Sequence, residues 1–362
     1  MAKGNKKWLG LGGLLVFIIY TFVPSRPVPQ ETILRPRWIS SLEGQSPALI
    51  GDRDLEGTGE LMPFSLGERY GYLYENGTFA LNNIRQTYVA LSDTLWAEYE
   101  AQPDRIQVMN SRQDPVLSIE DPRGYPLFLD NRIFIIGSDQ NILSSLDSRG
   151  QVLWTYDFAA PITSIDAAAG QVLVGTLDGV ILLLDEGGQA VFSPFEPGGS
   201  RLSVILGLAM SRDASRLAII SGIDSQRFLL MERSGDTYRV IHHEFIGEGF
   251  RRPVHLAFTD HDTKILFELQ GGLGILDIPS RVSRRLEIEG EILALDATGG
   301  NGYLFVLSSP GEDRMVLTSI RYPGYIMNRA PFASSHVFLG RRNGRLYLGG
   351  DKAMISFALE RR

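Results

Sequence analysis

Five histidines, 42 aspartates and glutamates and no cysteine are what this 362-residue chain offers for chemistry. His242 and His243 are adjacent in a strand-like segment, so they point to opposite faces and cannot simply share a metal. His261 stands between Asp260 and Asp262 in a predicted hairpin turn, where these residue types read as a solvated turn. The other two histidines are His255 and His336. The lack of cysteine excludes a thiolate nucleophile, cysteine-based metal sites, disulfides and lipid attachment through an N-terminal cysteine. There is no Gly-x-Ser-x-Gly elbow, Walker loop, His-Glu-x-x-His or full EF-hand loop. Paired carboxylates could do acid–base work, but the pattern names no pair. No catalytic, cofactor-binding or metal-ligating residue is expected.

Charge narrows the partners. The net charge is −7, and the first 30 residues carry Lys3, Lys6, Lys7 and Arg26 without an acid, which leaves −11 on the rest. An acidic domain repels phosphate backbones, so nucleic acid is not an expected partner. A composition of 44% hydrophobic and 21% charged residues allows a large core without crosslinks.

An uncharged stretch begins at Trp8 and ends at Val23. As a helix its roughly 16 residues would span about 24 Å, slightly less than a hydrocarbon core of about 30 Å. Snorkelling lysines and Trp8 at the interface would make up the difference. Prolines at 24, 27 and 29 end any helix. A cleaved signal peptide and an uncleaved anchor compete for this stretch. The exit Thr21-Phe22-Val23-Pro24-Ser25 is a poor cleavage site, which favours the anchor. Three lysines precede it, so the N-terminus is expected in the cytoplasm and everything after Pro24 outside it. The expected organisation is a basic tail at 1–7, a membrane anchor at 8–23, a stiff linker at 24–33 and one folded domain at 34–362.

That domain is built from repeats. RIFIIGSDQNILSSLDSRGQVLW, ending at Trp154, aligns without a gap on GQVLVGTLDGVILLLDEGGQAVF, ending at Phe192. Gly137 matches Gly175, Leu146-Asp147 matches Leu184-Asp185, Gly150-Gln151 matches Gly188-Gln189, and Trp154 matches Phe192. The period, about 38 residues, is that of a propeller blade. Val172-Leu173-Val174 reads as a buried strand. Asp178-Gly179 reads as a two-residue turn needing positive φ, and 180–184 as the returning strand. A third copy, RLYLGGDKAMISFAL, places Gly349 where Gly175 stands.

The pattern resembles the quinoprotein (PQQ)-like propeller repeat. The segments ILGLAMSRDASRLAIISG, PVHLAFTDHDTKILFEL and ILALDATGGNGYLFVLS are more similar to WD40 or lactonase-type blades. The resemblance implies an all-β single β-propeller. It does not carry over a bound quinone, because the vicinal disulfide typical of several quinoproteins has no counterpart here. Blades are expected near 88–121, 125–158, 162–197, 204–245, 253–290 and 292–332. A last one starts near Ser334, with its outer strand supplied by Pro36–Ser40 and its final aromatic by Trp38. That gives seven blades. The hairpin YGYLYENGTFAL at 70–81 is left over, as an insertion or part of an eighth. Asn76-Gly77-Thr78 matches a glycosylation sequon, but Asn-Gly between alternating residues favours a hairpin turn.

Two loops carry the residue types that interfaces favour. One holds Phe250, Arg251 and Arg252; the other holds Tyr322, Tyr325, Met327 and Arg329. Packing between blades is the competing role for these side chains. The repeats are similar to those of the outer-membrane assembly propeller lipoprotein family, without its lipidation cysteine. The resemblance implies a non-catalytic scaffold binding protein partners of a cell-envelope complex, tethered to the membrane by the N-terminal helix. The alternative is a small-ligand-binding or lactonase-type enzyme with its site at the central channel.

Overall fold

The computed structural model describes residues 32–44, 48–49, 60–247, 249–259, 261–298 and 302–361. The expected anchor at 8–23 and the basic tail before it lie outside them. Among the described residues no helix is long and apolar enough to cross a membrane. Pro36–Phe357 form one compact unit, and 32–35 with 358–361 belong to a second, in which Arg35 and Glu360 are ion-paired at 3.3 Å.

The strands form eight antiparallel sheets among the described residues, each a blade of the propeller. Blade 1 is Met62–Leu66, Arg69–Leu73 and Phe79–Ile84. Blade 2 is Tyr88–Leu91, Leu95–Tyr99, Arg105–Asn110 and Pro115–Glu120. Blade 3 is Gly124–Leu129, Arg132–Gly137, Ile142–Leu146 and Val152–Asp157. Blade 4 is Ile162–Ala168, Gln171–Thr176 and Ile181–Leu184. Blade 5 is Ile205–Met210, Arg216–Ser221, Gln226–Ser234 and Thr237–Gly247. Blade 6 is Leu256–Thr259, Lys264–Leu269, Gly272–Asp277 and Val282–Glu287. Blade 7 is Glu291–Leu295, Tyr303–Gly311, Arg314–Arg321 and Tyr325–Ala333. Blade 8 joins the two ends of the chain. Its strands Phe338–Arg342, Arg345–Gly350 and Ala353–Arg361 are completed by Thr32–Ser41, with the short Ala48–Leu49 beyond.

The closing strand with Trp38 is thus where the sequence places it, but the ring has eight blades rather than seven. The hairpin at 70–81 is the middle of blade 1, with Tyr70, Tyr72 and Leu73 fully buried. Two contacts orient this blade. The Tyr72 hydroxyl donates to the carbonyls of Ser92 (2.8 Å) and Leu95 (3.0 Å), beside the turn joining the first two strands of blade 2. Gln113, in the turn joining the last two strands of blade 2, donates to the Ala80 carbonyl at 2.7 Å. In an antiparallel meander these two turns share a face. The three strands of blade 1 therefore run as the second, third and fourth of a blade.

Blade 4 departs from the repeat in the opposite place. Phe192 matches Trp154 in sequence, yet no regular outer strand forms there. Only two isolated bridges, Ile181 to Phe195 and Leu184 to Ala190, hold the segment. Pro194 and Pro197 lack the N–H donors that a ladder needs. Phe192 turns instead onto Tyr238 of blade 5, with ring centroids 5.6 Å apart.

In blades 3 to 7 the second strand is buried on both faces, as in Gln171–Thr176 and Arg216–Ser221. Neighbouring blades interleave these side chains. Phe228 of blade 5 stacks on Phe267 of blade 6 at 4.7 Å, and Phe134 of blade 3 packs with Val172 and Val174 of blade 4. The core is thus a series of layers between blades.

Candidate interaction surface

Charged side chains bridge the blades where they meet. Arg341 on the innermost strand of blade 8 pairs with Asp296, just past the innermost strand of blade 7, at 3.1 Å. Their side chains are 2% and 1% exposed. Arg341 also donates to the Tyr303 carbonyl at 2.9 Å and lies over the Phe305 ring. Its neighbour Arg342 donates to the Leu61 carbonyl and pairs with Asp93 of blade 2 at 2.6 Å. Asp166 of blade 4 accepts the Met210 N–H of blade 5 at 2.7 Å, and burial pushes its pKa up. Asp262 accepts the Arg212 N–H at 3.0 Å, and Asp130 the Gly170 N–H at 2.9 Å. Each of these carboxylates ties its own blade to another.

A second clasp uses tryptophan. Trp154 of blade 3 donates its indole N–H to the Glu186 carbonyl of blade 4 at 2.8 Å. Trp38 of blade 8 makes the same bond to the Glu75 carbonyl of blade 1 at 2.8 Å. In both turns a positive-φ glycine follows two residues later, Gly188 or Gly77, and a Cβ on either would meet the indole ring at 2.6 Å. The Asn76-Gly77 motif is therefore a turn that receives Trp38. An arginine opening the second strand also crosses each of these junctions. Arg345 pairs with Glu75 at 3.0 Å, and Arg132 donates at 2.6 Å to the carbonyl of Gly170, in the turn joining the first two strands of blade 4.

The histidines do not converge. His242 faces Phe228 and Glu244, whereas His243 is exposed. His261 is exposed in a left-handed turn with φ 54°. Among the described residues no three His, Asp or Glu side chains gather as a metal site.

The two loops singled out in the sequence lie apart. Phe250, Arg251 and Arg252 connect blade 5 to blade 6. Arg252 is committed to Glu268 (2.7 Å) and Glu291 (3.0 Å), with Phe250 stacked 4.6 Å beneath its guanidinium. Arg251 is exposed. Tyr322 lies in the turn joining the last two strands of blade 7. Its hydroxyl is 3.0 Å from Thr259 Oγ1 and its ring lies under Lys264, so it packs between blades 6 and 7. Tyr325, Met327 and Arg329 stand exposed on the outermost strand of blade 7. Arg329 donates to the Glu287 carbonyl of blade 6 at 3.2 Å.

Beside them is a set of residues that the sequence did not single out. Val282 and Arg284, on the outermost strand of blade 6, flank a cleft of about 270 Å³. Ile275 and Lys264 line it too, and Pro323 of blade 7 forms its far side. Arg284 is opposite Ile275, on the face turned to blade 7. It makes no hydrogen bond or ion pair among the described residues. Asp277 and Ser280 complete the lining, with Ser280 donating to the carboxylate through both N–H and hydroxyl. These bonds hold the Asp277 carboxyl below its usual pKa. The available signal was two adjacent arginines in the short strand VSRRLE of an otherwise acidic domain.

A family model described as "beta-propeller protein" matches residues 1–361. An uncharacterized protein of Treponema pallidum (strain Nichols) is 25% identical over 285 residues, which is 78% of this chain and 75% of that protein. The crystal structure of BamB from Moraxella catarrhalis superposes with a TM-score of 0.59 at 15% identity. It covers 90% of this chain and 100% of that one. The computationally designed Ika8 protein superposes with a TM-score of 0.60 at 14% identity, over 84% of this chain and 98% of that one. At such identities the superpositions speak for the fold alone, and it is the family match across residues 1–361 that places this chain in the β-propeller protein family.

Proposed function

We propose that the chain is a non-catalytic protein–protein interaction scaffold of a cell-envelope assembly. Its propeller stands outside the cytoplasm, and residues 8–23 tether it to the membrane. The observation that carries this reading is the contrast between engaged charge at the blade junctions and exposed apolar side chains on the outermost strands. Val152, Leu153, Phe245 and Tyr325 are each more than half exposed. Such side chains on a rigid frame suit a protein surface. The repeats' likeness to the outer-membrane assembly propeller family, and the superposition on BamB over 90% of this chain, support the envelope setting. Both are analogies at the level of the fold.

The test is crosslinking in intact cells, then purification of the tagged full-length chain and identification of the proteins that accompany it. A reproducible set of envelope proteins, lost when the propeller is deleted and residues 1–31 are kept, is the expected result. A full-length chain that brings nothing overturns the scaffold. Orientation is read separately, from a C-terminal reporter active only outside the cytoplasm. A silent reporter on a stably expressed fusion contradicts the topology.

A further inference from the structure

The outermost strands of the propeller are not alike. Those of blades 2 and 3, PVLSIE and VLWTYD, each hold one carboxylate and no basic residue. Those of blades 5, 6 and 7, together, hold four arginines (Arg239, Arg284, Arg285 and Arg329) and two glutamates. Glu244 and Arg285 engage each other, with Ser283 and His242 also on the carboxylate, so the charge of the band rests on Arg239, Arg284 and Arg329. This basic band lies on a chain whose residues beyond the first 30 carry −11. A rim charge opposite in sign to its domain, and left without an internal partner, is how one surface selects an anionic one.

The groove between blades 6 and 7 adds shape to this charge. Its cleft of about 270 Å³ has apolar walls from Val282, Ile275 and Pro323. That is below the usual range for small-molecule sites, about 300–1,000 Å³, and suits one aliphatic side chain of a longer ligand. Arg284 lines the cleft, and Arg329, outside the lining, reaches across from blade 7 to the Glu287 carbonyl at 3.2 Å, three residues along the same blade 6 strand. The one carboxylate in the lining, Asp277, is occupied by Ser280 and lies 3.9 Å from Lys264. Among the described residues no strand pairs with the outer edge of the outermost strand of blade 6, which an extended chain can follow with main-chain hydrogen bonds.

We propose that the groove between the outermost strands of blades 6 and 7 receives an extended acidic segment of a protein partner. An aliphatic side chain of the segment enters the cleft beside Val282, and carboxylates pair with Arg284 and Arg329. This rests on the scaffold reading and names its surface and the chemistry of its partner.

The test uses the full-length chain in detergent micelles and a fluorescent peptide of about twelve residues alternating Asp and Val. The same peptide with Lys in place of Asp is the control. The acidic peptide is expected to bind saturably, less tightly as salt rises. R284E/R329E should weaken it about tenfold or more, the loss of charge-assisted contacts. V282D, which puts a carboxylate at the cleft in place of an apolar wall and leaves both arginines, should weaken it as well. V152D/L153D on blade 3 should leave it unchanged. Unaltered circular dichroism shows that each variant is folded. Equal binding of the lysine peptide, no saturable binding, or unchanged affinity in R284E/R329E overturns the proposal. So does binding to phosphatidylglycerol vesicles that the acidic peptide does not displace, which would make the band a membrane contact. Envelope proteins that accompany wild type and R284E/R329E equally would remove the groove and leave the scaffold standing.

Discussion

The blade junctions and the outer rim use charge in opposite ways. At the junctions, Asp296 and Arg341 are buried, paired and bonded to the backbone of the next blade. On the rim, Arg284 is exposed and has no ion pair among the described residues. A charge removed from water has to be matched, because its desolvation cost is several kcal/mol. A charge left in water is free to serve something outside the fold. The junctions therefore say how the ring stays closed, and the rim says where a partner has room to act.

Four tests sharpen or break this contrast. Asp296→Ala strands the Arg341 guanidinium in a buried site and should destabilise the fold by about 3–5 kcal/mol. Chemical denaturation measures this, and a loss below about 1 kcal/mol would mean that the clasp is ornamental. Next come the tryptophans. Trp38 is fully buried, whereas Trp154 is partly exposed. Trp38→Ala should cost about 3–5 kcal/mol and Trp154→Ala clearly less, by thermal melting of the two variants side by side. Equal losses would mean that ring closure at blade 8 is no more demanding than any other junction.

The third concerns acid. The backbone N–H of Ser215, then the hydroxyls of Ser215 and Ser211, hold the Asp213 carboxyl down at about 2. An unfolded aspartate titrates near about 3.9. Its bonds therefore add stability above about pH 4, which is lost as pH falls towards about 2. Asp213→Asn should flatten the decline of stability within that window and little outside it, as followed by melting temperature against pH. An unchanged slope would show that other carboxylates set the acid limit. The smallest effect on the fold is expected at the rim. R284E/R329E should shift stability by no more than about 0.5 kcal/mol. A larger loss would place these arginines among the junction residues.

Much of the ring was legible in the sequence because one physical device recurs. Asp147 and Asp185 each accept two backbone N–H groups in the same turn, Arg149 and Gln151 in one, Gly187 and Gln189 in the other. A turn built that way leaves Asp and Gly at fixed spacing, and the period follows. Blade 1 was not legible as a blade. It lacks the Leu-Asp turn, and its tyrosines at 70 and 72 reach out to Glu98, Ser92 and Leu95 of blade 2. The interaction loops were half legible. Aromatic and arginine types mark both partner surfaces and blade junctions, so Arg252 and Tyr322 proved to be packed into blade contacts. Sequence reports residue type, and only the fold shows which face Arg284 takes beside the cleft.

The central claim is tested most directly by placing a photo-crosslinking residue at Met327, and separately at Leu153, in the full-length chain in intact cells. The account predicts a discrete protein adduct from Met327, with the crosslinked partner segment rich in Asp and Glu, and none from Leu153. No protein adduct from either position, or equal adducts from both, would contradict it.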